Sequence, residues 1–256
     1  MQTTRGGHVF DLDPSPSAEH DNGPPAAKRF TRRQFVHLAV ILPTALVLPA
    51  WGDEAPRPAL SRIFFTNDEY RFIVAATGRL IPGDSKDPGA VEAQVPFFID
   101  RQLGGPYGRA DSWYMRGPWA KGTEQQGYQL RQTPAQLYRL AIAAVDEHCR
   151  QQYHKPFADL SPEQQDTVLH GLDEKKIDLG NVPAAAFFSI LWQNTQEGFL
   201  ADPMYGGNRN FVGWDLIGFP GPRYNYVHEI TQYGKPYPYP PVGIMGRDGT
   251  RLNADI

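Results

Sequence analysis

The sequence contains a single cysteine, Cys149, among its 256 residues. One cysteine excludes an intramolecular disulfide, a CxxCH haem attachment site and a zinc or iron–sulfur site built from several cysteines. Its position in a helical pattern beside Ala144 and Val145 favours a small core residue over a reactive thiol. The sequence therefore predicts that any haem or iron–sulfur centre used with this chain is bound by another protein.

An excess of positive charge is also missing, because 25 Lys and Arg stand against 28 Asp and Glu, which gives a formal net charge of -3. Without a basic stripe downstream of the N-terminal region, the chain lacks the electrostatic footprint of a nucleic-acid-binding protein. The nucleotide and metal patterns GxGxxG, GxxxxGK[ST] and HExxH are absent too. The chain as a whole has 41% hydrophobic and 21% charged residues, a composition typical of a globular protein with a core of its own.

Long hydrophobic runs are lacking as well. The apolar stretch Val36–Leu48 has 13 residues and is interrupted by His37 and Pro43, whereas a membrane-spanning helix needs about 20 apolar residues. Four cations precede it: Lys28, Arg29, Arg32 and Arg33. A charged region followed by a short apolar run is typical of an export signal.

The signal carries a twin-arginine pattern, in which Thr31 precedes Arg32 and Arg33, and Phe35 follows. His37 departs from the lysine that is usual at its position. The alternatives are a chance juxtaposition or a short membrane anchor, and cleavage near Ala50 is as open as retention of the segment. We expect residues 1–50 to form a disordered extension plus this signal, and 51–63 to form a linker.

The rest of the chain is predicted to be mainly α, because no run alternates with period two for long enough to form a strand. About five helices with long connections are expected, packed orthogonally. Three begin with capping boxes at Thr66, Thr133 and Ser161. The other two are predicted over Ala90–Leu103, with Pro96 kinking the helix or starting its second half, and from Pro183 onwards. The aromatic stretch 107–131 is expected to be a long ordered loop.

The stretch 202–222, DPMYGGNRNFVGWDLIGFPGP, combines glycines with aromatics and has almost no period. Glycines let backbones approach closely and large rings anchor protein contacts, so we predict a rigid loop that contacts a partner protein. The candidate interface residues are Tyr205, Gly206, Gly207, Asn208, Arg209, Phe211, Trp214 and Phe219. Residues 223–256 form a tail rich in tyrosine and proline, whose prolines favour an extended conformation.

A catalytic interpretation of the same region stays open beside this one. In this interpretation the chain is a free-standing periplasmic enzyme. Its acid, base and anion clamp would come from Glu197, Asp202, Arg209, Asp215 and His228. The alternative is that these groups cap a helix, pair in a loop or face solvent, which we favour because nothing in their spacing forces them together.

Four stretches resemble the small subunit of gluconate 2-dehydrogenase and its relatives, the subunit 3 family. They are FFTNDEYRFIVAATGRLIPGD, VPFFIDRQLGGPYG, YRLAIAAVDEHCRQQYHKPFADLSPEQQD and QEGFLADPMYGGNRNFVGWDLIGFPGP. The resemblance covers roughly residues 64–222 and marks them as one helical small-subunit domain. The tail beyond Pro222 and the extension before the signal lie outside it.

The resemblance implies an accessory subunit without catalytic, cofactor-binding or metal-binding residues of its own. Its implied partners are a large FAD-binding flavoprotein of the glucose–methanol–choline oxidoreductase type, which oxidises a sugar, sugar acid or polyol, and a multihaem cytochrome c that receives the electrons. The small subunit would escort the folded, FAD-loaded flavoprotein through the twin-arginine translocase. The complex would then lie in the periplasm at the inner membrane, with FAD and haem c on the partner subunits.

Overall fold

The computed structural model describes residues 61–120 and 122–246. The export-signal residues Thr31, Arg32, Arg33 and Phe35, the N-terminal extension and most of the predicted linker lie outside the described residues. So do the last ten residues of the predicted tail.

Seven α-helices occur in the described part of the chain, with isolated β-bridges as its only strand-like pairing. They are α1 (Asn67–Leu80), α2 (Val95–Gly104), α3 (Pro106–Arg109), α4 (Pro134–Tyr153), α5 (Pro162–Asp173), α6 (Ala184–Leu200) and α7 (Val212–Ile217). The mainly α class is confirmed, and the five predicted helices are α1, α2, α4, α5 and α6. The two short helices α3 and α7 are additions.

The three predicted capping boxes start α1, α4 and α5. At each start the hydroxyl of Thr66, Thr133 or Ser161 accepts from the backbone N–H three residues on, and the Glu or Gln there accepts from the cap's own N–H. These reciprocal bonds satisfy two backbone donors that the first turn of a helix leaves free. Because the partners are three residues apart, the helix starts are encoded locally.

The second helix begins later than predicted. It starts at Val95 and not at Ala90, because Gln94 adopts a left-handed conformation (φ 59°) and residues 90–94 form a turn. Pro96 lies in the first turn, where its missing N–H costs no helical hydrogen bond. Of the two roles left open for Pro96, it takes the helix start. In its described residues, the expected loop over 107–131 contains most of α3 and a short 3₁₀ helix at Glu124–Gln126.

The core is aromatic and aliphatic, and α6 runs through it in contact with each of the other four long helices. Phe187 of α6 packs against Phe72 of α1 and, edge to face, against Tyr138 of α4, with ring centroids 6.3 and 5.4 Å apart. The hydroxyl of Tyr138 donates at 2.9 Å to the side-chain oxygen of Asn194 on α6, so these two buried polar groups are paired with each other. The loop that follows α6 is thereby attached to a helix that contacts each of the other four long helices.

A buried carboxylate holds the N-terminal end of the described chain. Asp100 of α2 is fully buried and accepts from the backbone N–H groups of Ile63 (2.7 Å), Phe64 (3.1 Å) and Phe65 (2.8 Å). Three donors saturate much of the capacity of an ionised carboxylate. The segment leading into α1 is therefore fixed on α2, with Phe65 in the core.

The interpretation of Cys149 as a core residue is confirmed, since its side chain is fully buried in α4. Burial raises the pKa of this thiol to about 12, and the thiolate is the reactive form. We expect a disulfide exchange reagent at mildly alkaline pH to label native protein at least about 100-fold more slowly than protein unfolded in guanidinium chloride. Equal labelling rates in the two states would contradict this placement.

Within the described ranges, no helix combines the length and the apolar character that crossing a bilayer requires.

Candidate functional site

The predicted partner-contact stretch, called here the 202–222 loop, follows α6 directly. It contains two 3₁₀ turns, Pro203–Tyr205 and Arg209–Phe211, and the one-and-a-half-turn helix α7. The expectation of an irregular stretch therefore fails for α7. The expectation of a loop held by its own aromatics agrees with the packing described next.

Trp214 organises the aromatic part of the 202–222 loop. Its indole N–H donates to the carbonyl of Leu200 at 2.8 Å, which ties α7 to the last turn of α6. Its ring stacks on Phe211 at 5.4 Å and meets Phe219 edge to face at 4.9 Å. Only 4% of Trp214 is exposed, so this side chain is the centre of a small aromatic cluster within the chain.

Asn208 and two glycines hold the loop against the end of α6. The Asn208 side chain is fully buried, donates to the carbonyl of Ala201 at 2.9 Å and accepts from the N–H of Gly213 at 2.8 Å. A Cβ on Gly207 would overlap the carbonyl oxygen of Gly198, and one on Gly213 would overlap that of Phe199. The glycines are needed for this close backbone approach.

The eight candidate interface residues separate into two groups by burial. Gly207, Asn208, Phe211 and Trp214 are buried, and Gly206 and Arg209 are half-buried. Tyr205 and Phe219 are 50% and 40% exposed. In this conformation the buried residues shape the loop, and only the exposed rings present substantial surface to a partner. That the loop contacts a partner stays a prediction.

Exposed apolar side chains are concentrated at and after this loop. Of the 17 large hydrophobic residues that are exposed in the described chain, 12 lie between Leu200 and Ile244. Sequence reasoning missed most of them, including Leu216 and Ile217 of α7, which are 62% and 59% exposed. A signal was available for Leu216, which follows Trp214 by two residues and therefore lies on the opposite face of a helix that buries the tryptophan. Exposed apolar surface of this extent is typical of a protein contact site.

Residues 223–246, called here the C-terminal segment, pack back on the 202–222 loop. The buried carboxylate of Asp202 accepts from the N–H of Met204 at 3.0 Å and from that of Ile244 at 2.7 Å. The hydroxyl of Tyr226 donates to the carbonyl of Gly221 at 2.7 Å. The described part of the predicted tail therefore lies across its own chain.

Arg223 orders the proline-rich part of the C-terminal segment. Its guanidinium donates to the carbonyl of Pro240 at 2.6 Å and lies 5.3 and 5.9 Å from the ring centroids of Tyr237 and Tyr239. Cation–π contacts of this kind stabilise a segment that has few other core contacts.

The structure does not assemble the five groups of the catalytic interpretation. Asp202 is occupied by backbone donors, and Glu197 accepts from Gln193 and Asn194 of its own helix. Asp215 and His228 are exposed. Within residues 61–120 and 122–246, no hydrogen bond or ion pair joins any two of the five side chains, and no cluster of His, Cys, Asp and Glu could hold a metal ion.

A groove of about 970 Å³ lies between α6 and the stretch of chain from Tyr107 to Gln132. Its aromatic wall includes Tyr107, Trp113 and Tyr128, whose rings contact one another in sequence at 5.6 and 4.9 Å. Burial raises the pKa of Tyr107 to about 12, and its hydroxyl is hydrogen-bonded to Asn194. This phenol is therefore held in its neutral form beside Asn194.

Within its described residues the chain is a helical domain whose exposed apolar side chains are concentrated after Leu200, as in a subunit that binds other proteins. The family model described as Gluconate 2-dehydrogenase subunit 3 matches residues 67–221, and the chain belongs to this family. The resemblance stated from the four stretches is thereby confirmed. Membership makes the chain a relative of a complex subunit and implies partner subunits. No curated protein and no solved structure matches the chain.

Proposed function

We propose that this chain is a non-catalytic small subunit of a periplasmic, FAD-dependent dehydrogenase complex that oxidises a sugar, sugar acid or polyol. Membership of the subunit 3 family carries the proposal. In this assignment the large flavoprotein subunit binds FAD and the substrate, and a multihaem cytochrome c subunit receives the electrons. The small subunit stabilises the flavoprotein and escorts it through the twin-arginine translocase.

The escort role is supported by the combination of an export pattern and a contact surface on one chain. Arg32 and Arg33 stand in a sequence pattern typical of the signals that direct folded proteins to export. A folded flavoprotein without such a signal can use this route when it is bound to a chain that has one. The exposed apolar side chains after Leu200 offer the surface for that binding.

Charge-conserving substitution of the arginine pair tests the escort role. We expect the double variant Arg32→Lys with Arg33→Lys to reduce the co-expressed flavoprotein in the periplasm at least about tenfold, because arginine and lysine are not interchangeable at a site that reads the guanidinium. Periplasmic dehydrogenase activity and immunoblots of the fractionated cells measure the effect.

The matched control is Arg29→Lys, which makes the same chemical change just before the pair. It is expected to leave export unchanged. The escort role is wrong if the flavoprotein reaches the periplasm equally well with the double variant, or with this chain deleted. The subunit role itself is tested separately by co-purification of the two chains from whole cells.

A further inference from the structure

The C-terminal segment lies outside the family match, which ends at residue 221, yet it carries much of the exposed apolar surface. Its exposed side chains are Tyr224 (101%), Val227 (66%), Ile230 (71%), Tyr233 (89%), Tyr239 (58%) and Ile244 (47%). Only three of its 24 residues carry a formal charge: Arg223, Glu229 and Lys235. Depletion of charge together with enrichment in tyrosine is the composition of an interface core.

The segment is held in place and does not merely extend from the domain. Asp202 fixes its far end through Ile244, and the N–H of Val242 donates to the carbonyl of Pro220 at 3.3 Å. Tyr226 fixes its near end through Gly221. A segment ordered before binding loses less conformational entropy on association than one that must be ordered by its partner. Its exposed apolar side chains are therefore held in place in the chain by itself.

The exposed area is large enough for a stable interface. An aromatic side chain has roughly 150–250 Å² of surface. The exposed fractions of Tyr224, Tyr233 and Tyr239 therefore amount to about 500 Å² of exposed aromatic surface. A specific complex uses about 800 Å² of each partner. The exposed aliphatic side chains of the segment and of α7 supply the remainder.

We propose that the C-terminal segment is a docking element for the large flavoprotein subunit, and that it extends the contact surface of the 202–222 loop beyond the part common to the family. The inference rests on the proposed complex. The matching face of the flavoprotein is apolar and poor in charge, and it offers carbonyl or carboxylate oxygens to the tyrosine hydroxyls, because a buried phenol needs a hydrogen-bond partner.

The test measures binding of the purified, FAD-loaded flavoprotein to the full chain and to the triple variant Tyr224→Ser, Val227→Ser and Ile230→Ser. All three side chains are at least 66% exposed, so the variant is expected to fold, which circular dichroism checks. We expect its Kd to rise about 30-fold or more, since a few buried anchors contribute most of the binding energy. The control is Tyr114→Ser with Leu140→Ser, at exposed positions outside the segment (82% and 49%), with Kd within about twofold of wild type.

The outcomes separate the two proposals. If the wild-type chain does not bind the flavoprotein, the subunit role is overturned and the docking role with it. If the wild type binds and the triple variant binds equally well, only the docking role is overturned. In a third possible result, the wild-type chain is a dimer and the triple variant is a monomer with unchanged affinity for the flavoprotein. This result would overturn the docking role and assign the segment to contact with a second copy of this chain.

Discussion

Asp100→Ala is expected to lower the free energy of unfolding by about 3–5 kcal/mol, because it removes the acceptor of three backbone N–H groups at once. Asp100 is fully buried, as is Phe65, one of the residues whose N–H it accepts. After the substitution, these donors either stay buried without partners or the segment leaves α2 and exposes Phe65. Urea-induced unfolding followed by circular dichroism measures the change.

Two further variants separate the hydrogen bonds from the charge. Asp100→Asn keeps one carboxyl-like oxygen, and Oδ1 of the native residue already accepts from both Phe64 and Phe65. Its amide group would face the N–H of Ile63, so we expect a smaller loss of about 1–3 kcal/mol. Asp173→Ala, at an exposed position at the end of α5, is expected to change stability by less than about 0.5 kcal/mol. Equal losses for Asp100→Ala and Asp173→Ala would contradict the anchoring role.

The helix starts were predictable because their signals are local. A capping box joins residues three apart, so Thr66, Thr133 and Ser161 identify their helices without knowledge of the rest of the fold. The start of α2 was less predictable. It depends on a left-handed Gln94, and a glutamine carries no intrinsic preference for that conformation.

The anchoring roles of Asp100 and Asp202, which hold the two ends of the described chain, were not predictable from the sequence. Asp100 binds backbone groups 35 to 37 residues away, and Asp202 binds one 42 residues away. Nothing in the residues around a lone aspartate indicates which distant N–H it will accept. Sequence reasoning accordingly placed Asp202 among candidate catalytic groups or helix caps, whereas its carboxylate joins the 202–222 loop to the C-terminal segment.

The candidate interface was located by composition, but composition does not distinguish exposed from buried rings. The sequence gives no reason to expect different burial for Phe211, Trp214 and Phe219. In the fold Phe219 is 40% exposed, whereas the other two are buried. The same folding exposes Leu216, which lies on the face of α7 opposite Trp214, and Ile217, the last residue of that helix. In the 202–222 loop the buried aromatic residues therefore set the shape, and the exposed side chains are available to a partner.

Trp214→Ala is expected to destabilise the protein by about 3–5 kcal/mol, the usual cost of deleting a large buried aromatic side chain. The substitution removes the hydrogen bond to Leu200 and leaves a cavity between Phe211 and Phe219. Because α7 is held to α6 through this residue, we also expect the near-ultraviolet circular dichroism of the aromatic cluster to disappear. Thermal unfolding and near-ultraviolet spectra measure the two effects.

Trp192→Ala is the matched control, since this tryptophan lies on α6 but is 36% exposed. Its loss should cost clearly less, about 1–2 kcal/mol, because the side chain is partly exposed and its removal leaves no closed cavity. Trp214→Phe should fall between the two, because a ring still fills most of the space while the indole N–H is lost and the Leu200 carbonyl keeps no partner from α7. If Trp214→Ala unfolds at the same temperature as Trp192→Ala, the aromatic cluster does not hold the loop. The exposed positions of Leu216, Ile217 and Phe219 would then need another support.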